Sequence, residues 1–477
     1  MAVRIRDLID AELRISCDVT FVRWNSPGGR ACGSRGPLWI LVDPKAIDRN
    51  EGLIALMALE DLPSSISTAH DPYAVLRIED YRLFLQAGMY ATIGGQMQGV
   101  AVGWEVYERT GSATALGLVG LAQVLPVILL AIPAGHAADI YDRKLQLIFA
   151  QILLGLAALG LAWISFAEGP MSLVYLCLVL SGIGQAVNMP ARWAVMPQVV
   201  PRAMIANAVT WSSSSWQIAS VAGPALGGLS IGITRGATSA YLFNVACSAA
   251  AIVLVAPIVL RPFARDFEPL SFRSLLAGIR FVLKTELILA TITLDLFAVF
   301  LGGAVALLPI FAKEILEVGP TGLGWLRAAP SIGAFLMAIV LAHRPPLKRA
   351  GPALLWSVGG FGAATIVFGL SRSPALSFVM LLLTGALDNI SVVVRGTLVQ
   401  VLTPDEMRGR VSAVNAIFIG SSNELGEFES GITARVFGAV RAVVLGGVGS
   451  ILVVTAVAWK WPSVRRLGSL HESHEQG

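Results

Sequence analysis

Charge is what this sequence has least of. Only 14% of its 477 residues are Asp, Glu, Lys or Arg, against 55% hydrophobic, whereas a soluble domain carries about a quarter charged residues. An ordinary globular protein is thereby excluded, and the chain reads as a polytopic membrane protein with the lipid bilayer as its solvent. The net charge of +4 is too small to argue for nucleic acid, and no such partner is expected. Cysteine is scarce as well. Cys17, Cys32, Cys177 and Cys247 form no CxxC pair and have no histidine at ligand spacing, so neither a disulfide framework nor a metal site is expected. His70, His136, His343, His471 and His474 are scattered. There is no GxxxxGK[ST] loop, no HExxH helix and no GxSxG elbow. ATP-driven work and familiar hydrolytic chemistry lose their signatures, and neither an enzyme nor a cofactor is expected. The N-terminus also lacks a short apolar signal-peptide core, which leaves insertion to the first membrane segment.

What the chain does have is long apolar runs. About 20 apolar residues cross a bilayer, and hydropathy with Pro and Gly punctuation divides residues 81–461 into twelve such windows. The expected fold is all-α, with twelve transmembrane helices in two pseudo-symmetric six-helix bundles. Its parts are a cytoplasmic extension (1–75, disordered or poorly structured), a first bundle (76–260), a basic linker (261–285), a second bundle (286–462) and a tail (463–477). Lys and Arg favour one set of loops about three to one, and the positive-inside rule then puts both termini in the cytoplasm.

A shift of 203 positions superposes the two halves. Arg192 falls on Arg395, Pro201 on Pro404, Met204 on Met407, Gly223 on Gly426 and Gly228 on Gly431. Gln185 falls on Asp388. Duplicated halves are the build of many secondary transporters, with cargo handled at the interface between repeats.

The loop after the second window reads PAGHAADIYDRKLQ. Gly135 and Asp139 lie one helical turn apart, followed by Arg143 and Lys144; a small residue allows close helix approach and the charges can clasp one conformation. This loop resembles the signature of the major facilitator superfamily, G-x-x-x-D-x-x-[GD]-R-[KR]. YRLFLQAG, NMPARWAVMPQVV and LTPDEMRGRVSAVNAIFIG are similar to its branch of siderophore exporters and transmembrane secretion effectors, over roughly residues 75–465. The resemblance implies a bacterial inner-membrane protein, rocker-switch alternating access and proton-driven efflux of a small molecule. The second half has Ala342 where the shift places the counterpart of Asp139, so the clasp is expected mainly in the first half.

The most unusual stretch is SSNELGEFESG, residues 421–431, which puts Glu424, Glu427 and Glu429 into the eleventh window. Its counterpart, SVAGPALGG, resembles the Gly-Pro motif of antiporters, and Gly223, Pro224, Gly227, Gly228, Gly426 and Gly431 are expected to pack helices closely. A charge near the bilayer centre costs roughly 2.5–3.5 kcal/mol, so these acids must face water, pair with bases or carry protons. Glu424 and Glu427 share a helix face; Glu429 points elsewhere, and all three could instead be solvated or paired with Arg435. Asp388, Asn389 and Asp295 are further candidates for a proton or substrate path, as are Gln96, Gln185 and Asn188, which could equally make hydrogen bonds between helices. Arg192 and Arg395 sit near helix ends, where snorkelling is the simpler account.

Two functions remain open on the sequence alone. One is a proton-coupled exporter of a small amphipathic molecule such as a siderophore, drug or metabolite, acting as a monomer. The alternative is an uncoupled facilitator or lipid flippase on the same fold.

Overall fold

A computed structural model describes residues 20–23, 39–42, 71, 73–201, 204–260, 272–344 and 349–468. The chain divides into two compact units, 1–72 and 73–477. In the first, β1 (Thr20–Arg23) pairs antiparallel with β2 (Trp39–Val42), Thr20 opposite Val42.

The second unit is helical. Its first half contains α1 (Glu79–Thr110), α2 (Ala113–Ile140), α3 (Arg143–Phe166), α4 (Met171–Val199), α5 (Ile205–Thr234) and α6 (Thr238–Val255). A short helix follows, α7 (Phe272–Lys284), whose Ile279, Phe281 and Val282 pack with Ile288, Val399 and Val411. Its basic residues marked the linker in the sequence, but its helical period went unread there. The second half contains α8 (Glu286–Leu301), α9 (Gly319–Ala342), α10 (Ala350–Leu370), α11 (Pro374–Leu402), α12 (Asp405–Phe437) and α13 (Ala439–Lys460).

Local chemistry sets several boundaries. Asp142 caps α3 by accepting from the backbone N–H of Lys144 (2.8 Å) and Leu145 (3.2 Å), satisfying donors that a helix start leaves orphaned. Gly111 closes α1 at φ 57°, a left-handed conformation that glycine adopts without strain. The first apolar window of the second bundle was expected as one continuous transmembrane helix. Instead α8 stops at Gly302-Gly303, and a 3-10 turn, a single α turn and a π turn carry the chain on to Ile315. The two glycines explain the break.

Among the described residues ten helical segments are long and apolar enough to cross a membrane. The two long helices outside that set, α1 and α12, carry most of the intrahelical acids. This is an integral membrane fold, and the duplication is written in its packing. In the first half α1 packs on α5 and α6, α4 on α2 and α3, and α3 on α6. The second half repeats all five pairings, with α8 on α12 and α13, α11 on α9 and α10, and α10 on α13. The halves meet along two seams, α2 with α12 and α5 with α9.

The core shows where those seams close. One apolar cluster joins both halves, running through Val100, Tyr107 and Leu116 to Leu307, Phe311 and Leu326. It lies where α1 finishes and α2 begins. At the opposite end each half has a separate cluster, around Tyr81 and Val195 in the first and around Leu294 and Leu398 in the second.

Candidate functional site

The acids of α12 lie on the seam with α2. A methyl built on Gly120 would sit 2.9 Å from the Glu424 carbonyl oxygen and 3.2 Å from Glu427 Oε2. Only glycine lets the helices approach this closely, and Gly117 does the same against Phe428 and Gly431. Glu424 and Glu427 are both half-buried. The charge that reaches them is Arg327 of α9, whose electrostatic interaction extends to both carboxylates and whose guanidinium donates to the Gly99 carbonyl at 3.2 Å. Glu429 turns away and accepts from Thr433 Oγ1 at 2.5 Å, so its partner is a hydroxyl one turn on.

A second group lies inside the second half. Arg395 and Asp295 form an ion pair with side chains only 3% and 8% exposed. Arg395 therefore does not reach for the helix end as a snorkelling residue does; a carboxylate on the neighbouring helix holds it. Asp295 also lines a small cavity with Asp388, Ser391 and Phe361. The Ser391 hydroxyl and Asn389 Oδ1 are buried without hydrogen-bond partners among the described residues.

In the first half the corresponding polar residues stand apart from these. Asn188 Nδ2 donates to Gln185 Oε1 at 3.4 Å, and Gln185 is exposed. The Arg192 guanidinium lies 5.9 Å from the centroid of the Phe84 ring. Gln96 is half-buried beside Gly223. Arg143 donates to the Ala194 carbonyl (3.4 Å) and Lys144 to the Ile258 carbonyl (3.0 Å), so the basic pair ties α3 to its own half by taking up backbone acceptors. Gly135 is buried; the Asp139 side chain lies outside the described residues.

Five glycines of α5 and α12 meet neighbouring backbone. Gly223 and Gly227 face Ile93 and Met97 of α1; Gly228 faces Gly324 of α9; Gly426 faces Phe300; and Gly431 faces Gly117. Pro224 is buried, its carbonyl directed at Gly324.

Sequence reasoning missed Arg327, although a lone arginine in an apolar window was signal enough. It also missed a cluster at the closed end. Glu105, 7% exposed, accepts from Tyr241 (2.8 Å) and Arg109 (3.2 Å). Across the halves Tyr107 donates to Glu314, with Lys313 Nζ 5.9 Å from the Tyr107 ring centroid.

Comparison with known proteins fits this architecture. The chain is 24% identical to a staphyloferrin A transporter of Staphylococcus aureus, covering 78% of this chain and 94% of the relative. It is 26% identical to the multidrug efflux pump Tap of Mycolicibacterium fortuitum (81% and 96% covered) and 26% identical to an enterobactin exporter of Escherichia coli (79% and 87%). Among solved structures, a bacterial homologue of the human lysosomal transporter Spinster superposes with a TM-score of 0.65 at 15% identity, covering 82% of this chain and 99% of that one. A POT family transporter in complex with 5-aminolevulinic acid gives 0.64 at 12% identity, with 81% and 96% covered. These likenesses concern the fold. Residues 70–474 match the family described as transmembrane secretion effector, and the chain belongs to that family of major facilitator superfamily transporters, a multi-pass membrane transporter and not an enzyme.

Proposed function

We propose that this transporter is a proton-coupled exporter of a small amphipathic molecule, a siderophore, drug or metabolite, working by alternating access between residues 76–260 and 286–462. The names of its relatives supply the substrate class, and their bacterial sources the inner membrane. Loop charge places both termini in the cytoplasm, so the joined end faces outward. Residues 1–75 are a cytoplasmic extension, and one chain suffices for the transport cycle.

The observation that carries this reading is the position of Glu424 and Glu427. They sit where α12 touches α2, on a contact that must separate for the outer end to open. An ionised carboxylate trapped in an apolar seam costs several kcal/mol; a protonated one costs far less. Protonation therefore favours the joined arrangement, and release of the proton favours separation. Arg327 offsets one of the two charges, leaving the other to the proton. Asp388 supplies a second acid deep in the second half, and Gln96, Gln185 and Asn188 give the first half polar surface for cargo.

The test is transport by the full chain in proteoliposomes under an imposed pH gradient, with ethidium and dansylglycine as probes. Movement driven by the gradient is expected, with the Glu424→Gln/Glu427→Gln double variant losing that drive. A folded protein that moves neither probe in response to the gradient refutes the reading. Transport surviving the double variant with the same pH profile assigns the protein to uncoupled facilitation or lipid flipping.

A further inference from the structure

The repeat offset carries a comparison beyond helix packing. In the second half Arg395 is paired with Asp295, and Asp295 shares a cavity with Asp388 and Ser391. Subtracting 203 from each number gives Arg192, Thr92, Gln185 and Asn188. The arginine is kept, and both acids are replaced by neutral polar groups. Two carboxylates and one guanidinium leave the second-half group with an excess of one negative charge. The first-half group has one positive charge and nothing to cancel it.

The surroundings agree. Arg192 is the one charged residue of α4, and α5 has none. Its guanidinium packs on Phe84 and against Gly88 of α1, in the second and third turns of that helix. Tyr81 is the titratable group within electrostatic reach, and no carboxylate pairs with Arg192 among the described residues. Thr92, where the twin has its acid, spends its hydroxyl on the Gly88 carbonyl at 2.8 Å. Gln185 and Asn188 lie on the same face of α4, two turns and one turn from Arg192 respectively, and Gln185 is exposed. An uncompensated guanidinium within a membrane-spanning helix is costly to keep, and a planar fork of donors is the group best shaped for a carboxylate-type oxyanion.

We infer that Arg192, with Gln185 and Asn188 beside it, is the recognition site for the anionic group of the cargo, and that the exported molecules are amphipathic organic anions carrying a carboxylate-type oxyanion. The inference rests on the transporter reading above and adds the substrate's charge. The cargo supplies the negative charge that Asp295 supplies to the twin arginine.

Binding of two fluorescent probes to the purified full chain in detergent, without any gradient, tests this. Dansylglycine carries the carboxylate; dansylglycinamide is its neutral counterpart. The wild type is expected to bind the carboxylate roughly 10- to 100-fold more tightly, the range for a charge-assisted contact. Arg192→Gln should erase the preference and Arg192→Lys should keep part of it. Thr92→Asp installs the acid of the twin half: it should also erase the preference while raising the thermal midpoint, because Arg192 gains an internal partner. Equal binding of the two probes by the wild type, binding of neither, or a preference that survives both Arg192→Gln and Thr92→Asp overturns the assignment. Since no gradient is used, failure of proton coupling with the preference intact would condemn the coupling and spare this site.

Discussion

The Arg395–Asp295 pair is the interaction whose loss can be worked through most fully. Its side chains are 3% and 8% exposed, so removing either partner strands a charge that neither water nor lipid solvates. Breaking such a pair by a single substitution costs about 3–5 kcal/mol, whereas replacing both partners with apolar residues is often neutral. At 1.4 kcal/mol per decade, the single losses correspond to roughly two to three and a half decades in the folding equilibrium. The cavity makes the two singles unequal. Asp295→Asn leaves Arg395 with Asp388 on the same cavity, a nearby replacement partner. Arg395→Leu leaves Asp295 and Asp388 facing each other with no cation between them, and should be the more damaging. Resistance of the detergent-solubilised full chain to SDS unfolding, followed by circular dichroism, gives each free energy. Arg395→Leu should cost the most, Asp295→Asn less, and Asp295→Leu/Arg395→Leu should recover most of the stability. Adding Asp388→Asn to Asp295→Asn should remove the replacement partner and deepen the loss. Single variants that each cost under about 1 kcal/mol and simply add would refute the reasoning.

Other consequences follow from the closed end and its seams. Tyr107→Phe deletes the hydroxyl that bridges α1 to Glu314 across the halves; a bond to a carboxylate is worth about 1.5–3 kcal/mol, so the population open at that end should rise by at least tenfold, read as faster cysteine labelling at Tyr107-adjacent positions. Gly324→Leu puts a side chain where even a methyl would lie 3.0 Å from the Gly228 Cα; overpacking of about 1–3 kcal/mol should separate α5 from α9, visible as a lower thermal midpoint and as trapping in the outward-open form. Arg327→Gln removes the cation that favours the ionised forms of Glu424 and Glu427, so the pH profile of transport should move toward higher pH; an unchanged pH profile would remove Arg327 from the pathway.

Long apolar windows and a single offset were enough to read the helices and the duplication, because twenty apolar residues and a repeated Gly/Arg frame are properties of the chain itself. That both Glu424 and Glu427 belong to the eleventh helix was equally legible from the frame it shares with Gly223 and Gly228. Their partner was not. Arg327 is 97 residues from Glu424, and which helix of one half lies beside which of the other depends on how two finished bundles dock. For the same reason Asp295 and Arg395 were read as separate features, one a candidate for the proton or substrate path and one a helix-end charge, although they hold each other. Glycines hid the break after α8, since Gly302-Gly303 looks the same inside a packed helix as at its end. The short basic helix α7 was obscured by its own charge, which drew the reading toward a linker.

The two seams are symmetry mates, and their difference has a measurable consequence. Under the 203 shift Pro224 and Gly228 of α5 correspond to Glu427 and Gly431 of α12. The first pair meets α9 at Gly324 and the second meets α2 at Gly120 and Gly117. The Gly228–Gly324 contact brings no carboxylate to its seam, whereas the other seam carries Glu424 and Glu427, so a change in carboxylate protonation acts directly on one only. Spin labels at Leu118 and Ile432 report the α2–α12 seam, and labels at Ile233 and Trp325 the α5–α9 seam; all four side chains are exposed, at 38%, 42%, 73% and 51%, and tolerate labelling. Ionised carboxylates need water and protonated ones do not. Raising the pH should therefore lengthen the first distance more than the second, and Glu424→Gln/Glu427→Gln should flatten the first response to the level of the second. If the two pairs lengthen equally and the double variant changes neither, the acids of α12 do not drive the opening, and the charge that moves the halves must be sought at Asp388.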